Sequence, residues 1–245
     1  GGGLSYLATP ANGMALFGNK GSEIVFLPQE SNAEGSLGLS SKQKLLAFSE
    51  KVDIVVIGPG LSLNEETQSL VRELCAEIKK PLLIDGDGIS AVANNLEILK
   101  KRKFPTILTP HVGEMVRLTK LDIDEIIKNR ISILKNTAET LNSIIVLKGA
   151  HSLIGCPDKN IFINLSGNAG MASAGSGDIL TGIIAAMYGT GFPLNEAVRT
   201  AVFIHGLAGD LFRRHLGQHQ PPRRRQRVIA ARADGGHVML GLQHV

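Results

Sequence analysis

A chain of 245 residues, 43% hydrophobic and 20% charged, has the composition of an ordinary globular protein and is long enough to close a core without disulfides or metal. Cys75 and Cys156 sit in no metal-ligand spacing, and no apolar run approaches the ~18 residues of a membrane span, which excludes zinc ribbons, disulfide scaffolds and membrane-spanning helices and predicts a soluble, cytoplasmic protein. The formal net charge of +4 marks no nucleic-acid partner, because its basic excess lies in the tail after residue 212, where no aromatic interleaves the arginines as a base-stacking surface would require.

Short β-branched or apolar runs predict strands at residues 4–8, 23–27, 52–57, 81–84, 106–108 and 144–147. The run Val52-Asp53-Ile54-Val55-Val56-Ile57 and the run Ile144-Ile145-Val146-Leu147 are nearly continuous, as strands buried on both faces require. Residues 64–79 predict a helix with Asn64 as its N-cap and Leu70, Leu74 and Ile78 on one face. Residues 124–141 and 194–212 predict helices in the same way. Strands alternating with helices imply an α/β fold: a mostly parallel central sheet with helices on both faces. After Lys148, two short strands at 152–154 and 160–164, with a turn at Pro157-Asp158, predict an antiparallel edge. One domain is expected over residues 1–212. Residues 213–245 carry seven Arg, no Lys and the single acid Asp234, and this change of usage predicts an atypical tail rather than a domain.

In an open parallel sheet, ligands bind beyond the carboxyl ends of the strands. Gly58-Pro59-Gly60-Leu61-Ser62 follows the third strand, where glycines let a backbone approach a ligand or simply turn into the next helix. Asp85-Gly86-Asp87 follows the fourth; its carboxylates can hold a hydroxyl or magnesium, or cap a helix starting near Gly88. Thr109-Pro110-His111-Val112-Gly113-Glu114 follows the fifth, and His111 there can orient a polar substrate or serve structure alone. Lys148-Gly149-Ala150-His151-Ser152 follows the sixth, placing a lysine where it can meet phosphate or stand in solvent.

The strongest local signal is Ala172-Ser173-Ala174-Gly175-Ser176-Gly177-Asp178 leading into the apolar run Ile179–Ala186. Unpaired N–H groups and the positive dipole end of a helix N-terminus make an anion hole of Gly175, Ser176 and Gly177. Asp178, in the first turn, is placed to take a proton from an attacking hydroxyl, although an Asp there can also cap its helix. The run is neither a Walker A loop nor a dinucleotide fingerprint.

Gly-Ser-Gly-Asp at a late helix start resembles the anion-hole motif of the ribokinase-like superfamily, whose members are three-layer sandwiches. Gly58-Pro59-Gly60, the Thr109–Glu114 segment, Lys148–Ser152 and Gly167-Asn168-Ala169-Gly170-Met171-Ala172 occur in one order with it. Together these motifs resemble the ADP/ATP-dependent NAD(P)H-hydrate dehydratases across roughly residues 1–212. The resemblance implies that a nucleotide phosphorylates the ring hydroxyl of hydrated NADH or NADPH, and that loss of phosphate restores the cofactor, with AMP released from ADP. It further implies that Gly60, His111 and Asp178 contact the hydrated dinucleotide, with Asp178 as catalytic base. Lys148, Gly149, Ala150, His151, Ser152 and Gly177 would contact the nucleotide. Magnesium is implied only as the partner of the nucleotide phosphates, with no protein metal site. An epimerase, fused or separate, and a homo-oligomeric state are implied as partners.

Ser62 and Ala169 stand where the family usually has glycine and proline. Leu4 aligns past the family's first strand and helix, so that unit is expected to be missing. Two alternatives remain open from the residues: a small-molecule kinase of the same superfamily, such as a hydroxyethylthiazole kinase, and a catalytically dead nucleotide-binding module.

Overall fold

Leu82, Leu83 and Ile84 are all fully buried, although successive side chains of a strand point to opposite faces. Both faces must therefore be covered, and the computed structural model of the chain shows how. It describes residues 3–16, 23–217, 230–232 and 238–240.

The chain opens with β1 (Ser5–Pro10) and β2 (Ile24–Gln29), which pair with each other in parallel and form a separate two-stranded sheet. Helix α1 (Lys42–Ser49) follows, then β3 (Val55–Ile57), α2 (Glu65–Glu77), β4 (Leu82–Ile84), α3 (Gly86–Val92) and α4 (Glu97–Lys101). Next come β5 (Thr106–Leu108), α5 (Val112–Thr119), α6 (Ile123–Lys128), α7 (Arg130–Thr140), β6 (Ile144–Leu147), β7 (Leu153–Gly155) and β8 (Ile161–Ile163). Helices α8 (Ser176–Gly189) and α9 (Leu194–Gly217) complete the body, and β9 (Ala230–Arg232) pairs antiparallel with β10 (Val238–Leu240).

The main sheet has six strands in the order β3-β4-β5-β6-β7-β8. Its first four strands are parallel, and β7 and β8 add an antiparallel edge. One face buries Leu82, Ile84, Leu108, Ile145 and Leu147 against Leu70 and Leu74 of α2, Met115 of α5 and Leu134 of α7. The other buries Leu83, Ile107, Ile144 and Val146 against Leu180 and Ile184 of α8 and Val198, Ala201 and Val202 of α9. The expected helix–sheet–helix layering is present.

Three expectations need adjustment. The first two strands lie apart from the main sheet rather than in series with it. The helix expected over 124–141 is broken at Asn129, whose φ of −119° and ψ of 32° separate α6 from α7. The last helix runs to Gly217, beyond the expected end at residue 212. The arginine run at 223–225 lies outside the described residues. Among the described residues no helix is long and apolar enough to cross a membrane.

Asn64 caps α2 as expected, accepting hydrogen bonds from the backbone N–H groups of Glu66 and Thr67. Just before it, Ser62 holds a φ of +90°, a conformation that glycine adopts freely and a side chain does not. Its Oγ accepts from Asn64 N at 3.1 Å, so both Ser62→Gly and Ser62→Ala lose that bond while only glycine relieves the backbone. Ser62→Gly should therefore be more stable than Ser62→Ala by about 1–2 kcal/mol. Equal melting temperatures for the two variants would show that the backbone there carries no strain.

Candidate active site

The loops after β3, β4, β5 and β6 lie side by side at one edge of the sheet, because these strands are adjacent and parallel. The Gly58-Pro59-Gly60 turn packs on the start of α3. A Cβ on Gly58 would lie 1.7 Å from the Asp85 carbonyl oxygen, so glycine is required there by close approach. Gly60, by contrast, has φ +65° and open space where a side chain would stand.

Asp85 does not cap α3 with its side chain. Its carboxylate is 2% exposed and turns inward, where Lys148 Nζ donates to Oδ1 at 2.8 Å and Thr181 Oγ1 donates to Oδ2 at 2.8 Å. One buried carboxylate thus ties the end of β4 to the end of β6 and the second turn of α8. Asp87, the other half of the expected pair, instead accepts from Ser62 N at 2.9 Å. The two carboxylates serve separate partners.

His111 is the N-cap of α5 and forms a reciprocal capping box with Glu114. The Glu114 N–H donates to His111 Nδ1 at 3.2 Å, and the His111 N–H donates to Glu114 Oε2 at 2.7 Å. The same Oε2 lies 3.7 Å from Lys148 Nζ, so Asp85, Glu114 and Lys148 form one largely buried charge cluster. His111 itself remains half exposed. It fills the structural role, capping its helix, and it also lines a cavity shared with Lys148.

Gly175 takes φ +83° and starts α8, placing Ser176 and Gly177 in its first turn. A Cβ on Gly177 would approach Lys148 Nζ to 3.3 Å, so the small-residue run lies directly over the ammonium group. Ser176 Oγ lies 3.4 Å from His205 Nε2 of α9. Asp178 follows in the same turn with an exposed side chain, and it makes no hydrogen bond to a described residue.

A cavity of about 450 Å³ collects Lys148, Gly149, Ala150 and Ser152 with Ser176, Gly177, His205 and His111. Its far wall is the segment Asn164–Ser173, held by Asp210 of α9, which accepts from Gly167 N at 2.7 Å and from Asn168 Nδ2 at 2.9 Å. These bonds, chiefly the one from Asn168, hold the Asp210 carboxyl below the usual carboxylate range. The structure therefore brings together all but two of the expected nucleotide and anion-hole positions. His151 takes φ +63° and lines a different cavity, while Gly175 stands outside the lining. Gly60 and Asp178 also lie outside this cavity's lining.

Sequence reasoning assigned no role to His205 or Asp210, and left Asp85 as one half of a pair. No local pattern marks them: Asp85 meets Thr181 across 96 positions, and Asp210 meets Asn168 across 42. Burial lowers the pKa of His205, against a smaller opposite effect from the Ser176 backbone. The folded protein then resists protonation that the unfolded chain accepts, so this contribution to stability is lost as pH falls through the ordinary histidine value of about 6.5. His205→Gln should flatten the fall of Tm between about pH 7 and 5. An unchanged slope would place the titration elsewhere.

Among the described residues no group of three or more His, Cys, Asp or Glu is arranged to hold a metal ion. The donors present suit phosphate oxygens instead: an ammonium group beside a helix N-terminus.

The family model described as NAD(P)H-hydrate dehydratase matches residues 17–229. A bifunctional NAD(P)H-hydrate repair enzyme of Thermofilum pendens is 47% identical over 89% of this chain and 42% of its own length. An ADP-dependent (S)-NAD(P)H-hydrate dehydratase of Neisseria meningitidis is 31% identical over 70% of this chain and 59% of its own. The chain spans about two fifths of the length of the bifunctional relatives it matches. Among solved structures, the ADP/ATP-dependent NAD(P)H-hydrate dehydratase of Bacillus subtilis, co-crystallised with ATP and magnesium, superposes with a TM-score of 0.70 at 27% identity. That match covers 89% of this chain and 73% of the other. A hydroxyethylthiazole kinase of Pyrococcus horikoshii, at 17% identity and TM-score 0.55, shares the ribokinase-like fold. With the family model spanning most of the chain, this protein belongs to the NAD(P)H-hydrate dehydratase family.

Proposed function

We propose that this chain dehydrates hydrated NADH or NADPH at the expense of ADP or ATP. The observation that carries the reading is the 450 Å³ cavity in which Lys148, Gly149, Ala150 and Ser152 meet Ser176 and Gly177, with Asp178 one residue further along the same turn. The cavity takes the nucleotide, with its phosphates directed at the α8 N-terminus. Gly60, His111 and Asp178 face the hydrated dinucleotide. His151 is not among the residues that line this cavity and lines the neighbouring one, so it takes no part in this reading.

Asp178 accepts the proton of the ring hydroxyl as that oxygen forms a bond to the terminal phosphorus of the nucleotide. The bond from phosphorus to the leaving phosphate oxygen breaks, releasing AMP when ADP is used. The ring C–O bond then breaks, phosphate leaves with the former hydroxyl oxygen, and loss of a ring proton restores the dihydronicotinamide. Lys148 and the backbone N–H groups around Gly177 hold the charge that develops on the transferring group. Magnesium carried in with the nucleotide would supply charge neutralisation on its phosphates, beside the donors that Lys148 and the α8 N-terminus offer to them.

A cytoplasmic location, a homo-oligomeric state and an epimerase working alongside, fused or separate, belong to the same proposal. The catalytic domain, expected over residues 1–212, would extend at least to the end of α9 at Gly217, with the atypical tail after it. The test is absorbance of the restored dihydronicotinamide when the chain is given hydrated NADH with ADP, with ATP, or with neither. Restoration only with nucleotide supports the reading. Nucleotide consumption without restored absorbance indicates a kinase, and inactivity with intact nucleotide binding indicates a dead module.

A further inference from the structure

A second cavity, of about 570 Å³, opens where α6 meets α7 and the loop after β6 crosses them. Its lining includes Lys128, Arg130, Lys135 and His151, and no acidic residue is among the described residues that line it. Such one-signed clustering is unfavourable in an empty site, because like charges around a concave, partly dry surface raise each other's energy. Exposed Ile127 and Ile131 add apolar walls beside the cations.

Arg130 is the informative member. Its Nε is buried and has no hydrogen-bond partner among the described residues. Its Nη2 makes only a long contact, 3.5 Å, to the His151 carbonyl oxygen. A charged donor shielded from water and left unpaired carries a desolvation cost that an acceptor oxygen would cancel. A guanidinium offers donors in a planar fork, which matches the oxygens of a phosphate.

We propose that this cavity is a second anion site, separate from the nucleotide cavity, and that it takes a phosphorylated small molecule. Lys128 and Lys135 hold the charge, and the Arg130 fork turns onto a phosphate oxygen. Ile127 and Ile131 contact the apolar body of the ligand. The site also borders the nucleotide loop: a Cβ on Gly149 would lie 3.1 Å from Arg130 Nη2, so movement of this guanidinium is felt directly beneath Lys148-Gly149-Ala150.

The test is calorimetric titration of pyrophosphate into the full chain at low ionic strength. The wild type should show two classes of binding, one abolished by saturating ADP and one that survives it. Lys135→Glu, at an exposed position, should weaken the ADP-resistant class by tenfold or more while leaving the ADP-sensitive class unchanged. Lys128→Glu should act in the same direction, which guards against misfolding of one variant. A single class that ADP abolishes would overturn the proposal. So would an ADP-resistant class of wild-type affinity in both variants. Because ADP binding is read separately, failure of the nucleotide cavity assignment would appear as loss of the other class.

Discussion

Asp178→Asn should bind ADP with nearly unchanged affinity and turn over about 10²–10⁴-fold more slowly. Asparagine keeps the shape of the side chain and cannot accept the hydroxyl proton. Asp178 is exposed in the first turn of α8 and has no partner among the described residues. Its removal therefore strands no buried group. The structural cost is limited to the interaction of one negative charge with the helix N-terminus, about 0.3–1 kcal/mol. A large kinetic loss beside a small stability loss separates a base from a cap. Steady-state rates and a melting curve on the same preparation decide it. Retention of more than about a tenth of wild-type turnover would remove Asp178 from the role of base.

Lys148→Met should have the opposite profile, with stability falling as far as affinity. The lysine neutralises Asp85, which is 2% exposed, and lies 3.7 Å from Glu114, which is 5% exposed. Taking away the one Lys or Arg that pairs with these carboxylates among the described residues leaves both without it, Asp85 in full burial. Breaking one side of a buried pair costs about 3–5 kcal/mol. For a chain of this length that corresponds to a fall in Tm of roughly 10 °C. Affinity for ADP should fall about tenfold as well, since the ammonium lines the nucleotide cavity. Asp85→Asn combined with Lys148→Met should recover most of the stability, because Thr181 Oγ1 can still donate to the amide oxygen, and should not recover the affinity. A single variant as stable as the wild type would show that the cluster is solvated. A double variant that regains ADP binding would show that Lys148 acts on Asp85 alone.

The parallel core was readable because β4, β5 and β6 are buried on both faces, which forces near-continuous apolar runs such as Ile144–Leu147. The run at 52–57 promised the same, but β3 is the sheet edge and leaves Val56 exposed. The antiparallel edge was readable from its turn, and β7 and β8 form it around Pro157-Asp158. The break at Asn129 carried no such mark: Ile126, Ile133, Leu134 and Ala138 keep a helical period across it, and neither Gly nor Pro interrupts the run. Helix α5 was hidden for another reason. Its N-terminal His111 and Glu114 look like site residues, and their mutual capping became visible only with the backbone in place. The small-residue run at Gly175–Gly177 was legible because bulk is excluded locally. The Asp85–Lys148 pair was not, since the two lie 63 positions apart and meet only when β4 and β6 are brought to the same sheet edge. Local chemistry was thus read from the sequence, while the charge cluster beneath it required the fold.

The most direct measurement follows the ring oxygen. Hydrated NADH carrying ¹⁸O at the ring hydroxyl is turned over with unlabelled ADP, and the released phosphate is examined by mass spectrometry. Phosphorylation of the hydroxyl followed by C–O cleavage predicts one labelled oxygen in each phosphate released. Label found in water, with phosphate unlabelled, would contradict the account, because the hydroxyl would then have left without ever being bonded to phosphorus.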